Sequence, residues 1–276
     1  MCIRDRYNRN PYDIQARKIT FAQVYERWME QYSTVPVKGK LPAEGTIKIY
    51  RAAYNHCKPL HDMIFSEITL LQLQDVVDVC SAGAGVQQKI KVLYHHLYKY
   101  AIKYEIADNN LASLIVITKK EDIKRNPFTV DEVRNIWKMP ESVTRDLTLI
   151  LLYTGMRADE VLQLNEIHST YMVGGSKTEA GKNRIIPIHS DIAPIVRRQL
   201  PASVKYYRFW QDFTRLFPGH TPHDCRRTFI SRAEELGING AACRKIVGHV
   251  GKDVHENAYT FLSIDFLYTE IQRLCY

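Results

Sequence analysis

Cationic and hydroxyl side chains suited to an anionic substrate recur through the second half of this 276-residue sequence, most of them at the ends of segments. Arg157 lies in Thr154-Gly-Met-Arg-Ala-Asp-Glu, just after one expected helix stops and where the next begins. A guanidinium there would place forked donors beside free backbone N–H groups, which suits an oxyanion. Surface pairing with Asp159 or Glu160 is the competing explanation. His223 and Arg226 lie in Thr221-Pro-His-Asp-Cys-Arg, where Thr221 reads as an N-cap and Pro222 as a first-turn proline. Their spacing of three puts imidazole and guanidinium on one helical face, although a simple surface pair has the same spacing. His249 closes Ile246-Val-Gly-His directly after a helix, and Tyr259 follows on a further helical segment. Among 17 tyrosines, a packing role competes with a nucleophilic one at any single position. Lys177, in Gly175-Ser-Lys-Thr, stands at the turn end of an expected strand, where a solvated hairpin lysine is the alternative.

Other chemistries fail on spacing. Gly175-Ser-Lys-Thr-Glu-Ala-Gly-Lys has five residues between its glycines instead of four, and Asn183 follows Lys182 where a phosphate loop needs Ser or Thr. In His255-Glu256-Asn-Ala-Tyr259 a tyrosine replaces the second histidine of a zinc-protease helix, and no Gly-x-Ser-x-Gly elbow occurs. The six cysteines contain no Cys-x-x-Cys pair, so they are expected to be reduced thiols and not a zinc site or disulfide framework. No metal site is expected. With 45% hydrophobic and 25% charged residues, the chain is neither disordered nor collagen-like. It carries no apolar run long enough to span a bilayer and no recognisable leader. The net charge of +8 is compatible with a polyanionic partner and decides nothing alone.

The elements that must hold these residues are mostly helical. Residues 1–17 lack an apolar period and are expected to be disordered, a linker or an artefact. Thr20 opens a capping box before Phe21, Val24, Tyr25 and Trp28, and Ser33–Gly45 reads as a loop. A second helix is expected from Thr46 to about Met63, and a third behind the capping box at Thr69. Gly83 and Gly85 then break the chain before a long helix to about Tyr104. That helix buries Ile90, Leu93, Leu97, Tyr100 and Ala101, and shows Lys89, Lys91, Lys99 and Lys103 as a solvated face or as phosphate contacts. A charged linker covers 118–128, which makes 18–117 a helical domain and 129–276 a second domain. In the latter, Thr129 opens a capping box, Gly155 ends an apolar helix, residues 166–189 form a small antiparallel sheet, and helices fill the remainder. The fold class is therefore mainly α with a small antiparallel β-sheet.

Taken in order, the segments TGMRADEVLQL, GSKTEAGKNRIIPIH, TPHDCRRTF and IVGHVGKDVHENAYTF resemble the tyrosine recombinases, the family of phage and transposon integrases. The last segment is similar to integrases of conjugative transposons and prophages of Gram-positive bacteria. The family's active site has an arginine, a hairpin lysine, His-x-x-Arg, a second histidine and a tyrosine nucleophile. These match Arg157, Lys177, His223, Arg226, His249 and Tyr259. The resemblance is close over the second half and looser over the first, where it implies a helical (SAM-like) core-binding domain. It implies site-specific cleavage and rejoining of DNA through a 3′-phosphotyrosyl link, without metal, ATP or another cofactor, for integration or excision of a mobile element. In that scheme the arginines neutralise the phosphate, Lys177 is the general acid, His223 supports proton transfer and His249 hydrogen-bonds the phosphate.

The resemblance also implies double-stranded DNA as partner, clamped by both domains. Lys89, Lys91, Lys99 and Lys103, with the linker residues Lys119, Lys120, Lys124 and Arg125, become candidate DNA contacts. A monomer without DNA would become a homotetramer on it, through exchange of a C-terminal tail carrying Phe261, Ile264, Leu267, Tyr268, Ile271 and Leu274; the other possibility is that this stripe packs on its own domain. Accessory excision or bending factors and a bacterial cytoplasmic location follow from the same likeness. The Lys177–His223 interval is short for the family, Arg227 stands where a second histidine is common, and His255 stands where a threonine is common. A small arm-binding domain of larger relatives is expected to be missing. The rival expectations are a DNA-binding remnant without recombination and a topoisomerase-like enzyme that religates the same strand.

Overall fold

The computed structural model describes residues 18–37, 39–117, 126–175, 181–249 and 262–276. The chain divides into two compact units, 1–122 and 123–276. No described helix is long and apolar enough to cross a membrane.

The first unit contains α1 (Phe21–Thr34), α2 (Glu44–His56), α3 (Leu70–Val79) and α4 (Ala84–Lys103). Thr20 and Gln23 exchange side-chain and backbone hydrogen bonds at the start of α1, and Thr69 and Gln72 do so at α3. Each exchange satisfies donors that a helix end leaves open. Phe21, Val24, Tyr25 and Trp28 form the buried face of α1, while Ile90, Leu93, Leu97 and Ala101 do this on α4. α1 and α2 both pack on α4. Helix α2 ends at His56 and not near Met63, because Pro59 comes two residues after the cap Cys57 and the chain tightens into a 3₁₀ turn over Lys58–Leu60. Of the two glycines expected to break the chain, Gly83 alone does so, at φ +89°; Gly85 lies within the first turn of α4.

The second unit begins with α5 (Val130–Lys138), capped by Thr129 and Glu132, and α6 (Val143–Thr154). Every residue of α6 from Arg145 to Thr154 is buried, as expected of a helix that is apolar nearly all round. The charges near its start are matched: Asp146 accepts from Arg145 Nη1 at 2.7 Å and from Arg198 Nη2 at 2.6 Å. Gly155 ends α6 in the left-handed conformation, and α7 (Ala158–Leu162) follows after two residues. Strands β1 (Glu166–Ile167), β2 (Tyr171–Gly174) and β3 (Arg184–Pro187) form the antiparallel sheet in that order, with Gly174 opposite Arg184. Then come α8 (Ala193–Gln199), α9 (Tyr206–Leu216), α10 (Pro222–Glu235), α11 (Gly240–Val247) and α12 (Ile264–Ile271).

Phe128, placed in the linker by composition, is buried in this second core, and its N–H donates to Thr228 Oγ1 at 2.8 Å. The C-terminal stripe is used within the unit. Leu267, Ile271 and Leu274 are buried, and α12 packs on β3 and α11. Gln272 accepts from the Ser190 N–H, and the Tyr276 hydroxyl donates to the Leu152 carbonyl at 2.7 Å. In the single chain the packing alternative is therefore realised; Phe261 lies outside the described residues.

Candidate active site

Helix α10 sets the site's geometry. Thr221 is its N-cap, Pro222 its first residue, and Asp224 accepts from both the N–H and the hydroxyl of Thr221. His223 and Arg226 then lie one turn apart, His223 exposed and Arg226 only 2% exposed. Arg226 Nη1 donates to the Gly155 carbonyl at 2.9 Å, which ties α10 to the loop between α6 and α7. Its Nη2 is buried and has no hydrogen-bond partner among the described residues. Burial, followed by the charges of Arg157 and Arg184, pulls the Arg226 pKa down to about 10. A buried arginine with a free donor and cationic neighbours costs stability, so an anion is the natural complement.

Arg157 stands at the start of α7. Its backbone N–H donates to Glu160 Oε2 at 3.1 Å and its Nη1 to Oε1 at 2.8 Å. The pairing weighed from the sequence is thus present, but the carboxylate is buried and does not lie on the surface. Burial acts to raise the Glu160 pKa, and the contacts with Arg184 and Arg157 outweigh it and hold the carboxyl below its usual value. The Arg157 side chain keeps 21% of its surface open.

His249 follows α11 after the left-handed Gly248, and its N–H donates to the Arg244 carbonyl at 3.0 Å. Partial burial first, then Arg226, Arg157, Arg184 and His223, lower its pKa. For His223 the causes are partial burial, then Arg227, Arg226 and Arg157, against an opposing effect of Asp224. Arg157, His223, Arg226 and His249 therefore lie within electrostatic reach of one another. Both imidazoles are held in the neutral form at neutral pH, the form that can accept a proton.

A pH dependence follows. Because both folded pKa values lie below the ordinary 6.5, the unfolded chain takes up protons first as pH falls, and stability drops below about pH 6.5. Thermal melts between pH 8 and pH 5 should show Tm falling over the acid part of that range. The fall should be shallower in a His223→Asn/His249→Asn variant; His189, also lowered, leaves a residual slope. Equal slopes in both proteins would refute this account.

Two residues that matter were not singled out from the sequence. Glu160 enters only as a surface partner of Arg157, and Arg184 only as a position within the segment GSKTEAGKNRIIPIH. A charged side chain at an inward position of the β-branched strand there was the available signal. Lys177 and Tyr259 lie outside the described residues, as do Lys119, Lys120, Lys124 and Arg125. The flanks of the hairpin are described: the Asn183 N–H donates to the Gly175 carbonyl, and Arg184 Nη1 to the Gly181 carbonyl. In the first unit, Lys89, Lys99 and Lys103 are exposed. Lys91 is not a free contact, because its ammonium donates to the Ile115 carbonyl at 2.5 Å. Lys99 and Lys103 share a face and line a cavity of about 270 Å³ with Trp28, Tyr32 and His96.

The fold has counterparts among solved structures. A lambda integrase dimer bound to a COC′ core site superposes with a TM-score of 0.71 at 13% identity, covering 95% of this chain and 87% of that one. The Tn1549 transposon integrase in complex with transposon right end DNA gives 0.64 at 17% identity, covering 93% and 99%. The chain has the tyrosine recombinase fold. A lambda integrase tetramer bound to a Holliday junction shares that fold at a TM-score of 0.70 and 14% identity, covering 89% of this chain and 81% of that one. No protein-family model and no curated protein matches the sequence.

Proposed function

We propose that the protein is a site-specific DNA recombinase that cleaves and rejoins strands of a mobile element through a 3′-phosphotyrosyl intermediate. One observation carries the reading. Arg157, His223, Arg226 and His249 converge from three different elements, and a buried guanidinium nitrogen there has no partner among the described residues. Integrases bound to DNA share the fold, and the order of the motifs supports the same chemistry.

In this scheme the Tyr259 hydroxyl oxygen attacks phosphorus while the bond from phosphorus to the 5′-oxygen breaks. The tyrosine proton passes to neutral His223, and Lys177 supplies a proton to the departing 5′-oxygen. Arg226 and Arg157 neutralise the non-bridging oxygens as charge builds, and His249 donates a hydrogen bond to one of them. Attack by the 5′-hydroxyl of a partner strand reverses these transfers and completes the exchange. The phosphotyrosyl bond conserves the energy of the original ester, so ATP is not needed, and the two arginines take the charge-neutralising role that a metal could otherwise have. Four copies on two duplexes would complete the reaction, with accessory bending or excision factors adding direction.

Two duplexes carrying the ends of the element that encodes the protein, incubated in EDTA, test the proposal. A product joining the two duplexes is expected. Relaxation of supercoils without joining would favour the topoisomerase-like alternative, and a salt-sensitive mobility shift alone would favour a DNA-binding remnant.

A further inference from the structure

Arg184 uses all three of its donor nitrogens, each on a different element. Nη2 donates to Glu160 Oε2 at 2.7 Å, Nε to the Ile246 carbonyl at 2.7 Å, and Nη1 to the Gly181 carbonyl at 3.1 Å. Its side chain is 2% exposed and that of Glu160 1%. The same Glu160 carboxylate holds Arg157, and Ile246 lies in the last turn of α11, three residues before His249. Between them the packing has no slack. A Cβ on Gly248 would stand 3.0 Å from Arg184 Cδ and 2.8 Å from Gly181 Cα.

A structural explanation alone is weak on energetic grounds. Two arginines sharing one buried carboxylate leave a net positive charge in the interior. Apolar residues of similar volume commonly stabilise such a place at least as well. What apolar residues cannot do is fix three partners at set angles to a planar fork. We propose that Arg184 is a positioning residue: acting through Glu160, it holds the Arg157 guanidinium in register with the end of α11 that presents His249. This inference rests on the recombinase reading, since it assigns Arg157 the charge of the scissile phosphate.

The test compares the full chain on two half-site duplexes, one with an ordinary scissile phosphodiester and one with a methylphosphonate there. The methyl group removes the negative charge that Arg157 neutralises, so a defect transmitted through Arg157 disappears on that substrate, while a general collapse of the site does not. On the phosphodiester, single-turnover cleavage by Arg184→Met and Arg184→Lys is expected to fall about 100-fold, the loss typical of a misplaced catalytic group. DNA affinity should be unchanged. On the methylphosphonate both variants should regain most of the wild-type rate, as Arg157→Ala should.

Lysine is not a substitute, because one ammonium cannot reach three acceptors on separate elements. If either Arg184 variant fails to fold, Glu160→Gln keeps the shape and weakens both arginine contacts, and it must show the same rescue. Equal losses on the two substrates would overturn the inference, as would unaltered cleavage of the phosphodiester. Absence of any adduct from the wild-type chain on either substrate would instead remove the recombinase reading, and this inference with it.

Discussion

Replacing Arg226 by methionine should lower strand cleavage by about 10²–10³-fold, as expected for loss of a preorganised transition-state donor, and should make the protein more resistant to heat. The two effects have one cause. Arg226 is buried, its Nη2 lacks a partner among the described residues, and its nearest charges include Arg157 and Arg184. Desolvating that cation costs more than its bond to the Gly155 carbonyl returns, so an apolar side chain of similar length should stabilise the fold by about 1–2 kcal/mol. Denaturant midpoints and single-turnover cleavage rates measured on the same preparation check both signs. A methionine variant that is less stable than the wild type would mean that the guanidinium is structural. Function in that case would have to reside elsewhere.

Gly155→Ala should produce a large loss of stability. Gly155 has φ +61°, where a Cβ costs about 1–2 kcal/mol. A Cβ there would lie 2.5 Å from Phe229 Cδ1 and 2.8 Å from Val247 Cγ1. Relieving such overlap in a packed core adds about 1–3 kcal/mol. For a unit of this size, about 2–5 kcal/mol in total corresponds to a Tm lower by roughly 5–15 °C. The Gly155 carbonyl is also the acceptor that orients Arg226, so activity should be lost below the melting range as well. Calorimetry and a cleavage assay at low temperature separate the two consequences. An alanine variant with unchanged Tm would show that the α6–α7 connection is looser than its contacts indicate.

What the sequence discloses about this molecule is mostly local. Thr20, Thr69 and Thr129 each announce a helix three residues before their Gln or Glu partner, and all three caps form. Gly155 and the β-branched run at Ile185 and Ile186 mark a helix end and a strand for equally short-range reasons. Buried charge is different, because its partners are chosen by tertiary packing. Arg184 finds Glu160 24 residues away and Ile246 62 residues away, separations that no periodicity encodes. Lys91 reads from its spacing as one of several exposed lysines, and only the approach of Ile115 gives its ammonium an acceptor. The C-terminal stripe is legible as apolar, yet the choice between its own domain and a neighbour depends on which surface is free. All six candidate site residues are read from motif order, which constrains them jointly where each position alone is ambiguous; four of them lie among the described residues.

The proposed chemistry is covalent, so the point where the DNA attaches tests it. The full chain, in EDTA, should be incubated with a half-site duplex nicked just beyond the scissile phosphate, so that the short 5′-hydroxyl fragment diffuses away. The trapped complex is then digested and its crosslinked peptide sequenced by mass spectrometry. A 3′-phosphate linked to Tyr259 is expected, with no trapped complex from Tyr259→Phe. Bound DNA without any adduct, attachment at another residue, or cleavage that requires a divalent metal would contradict the proposed chemistry.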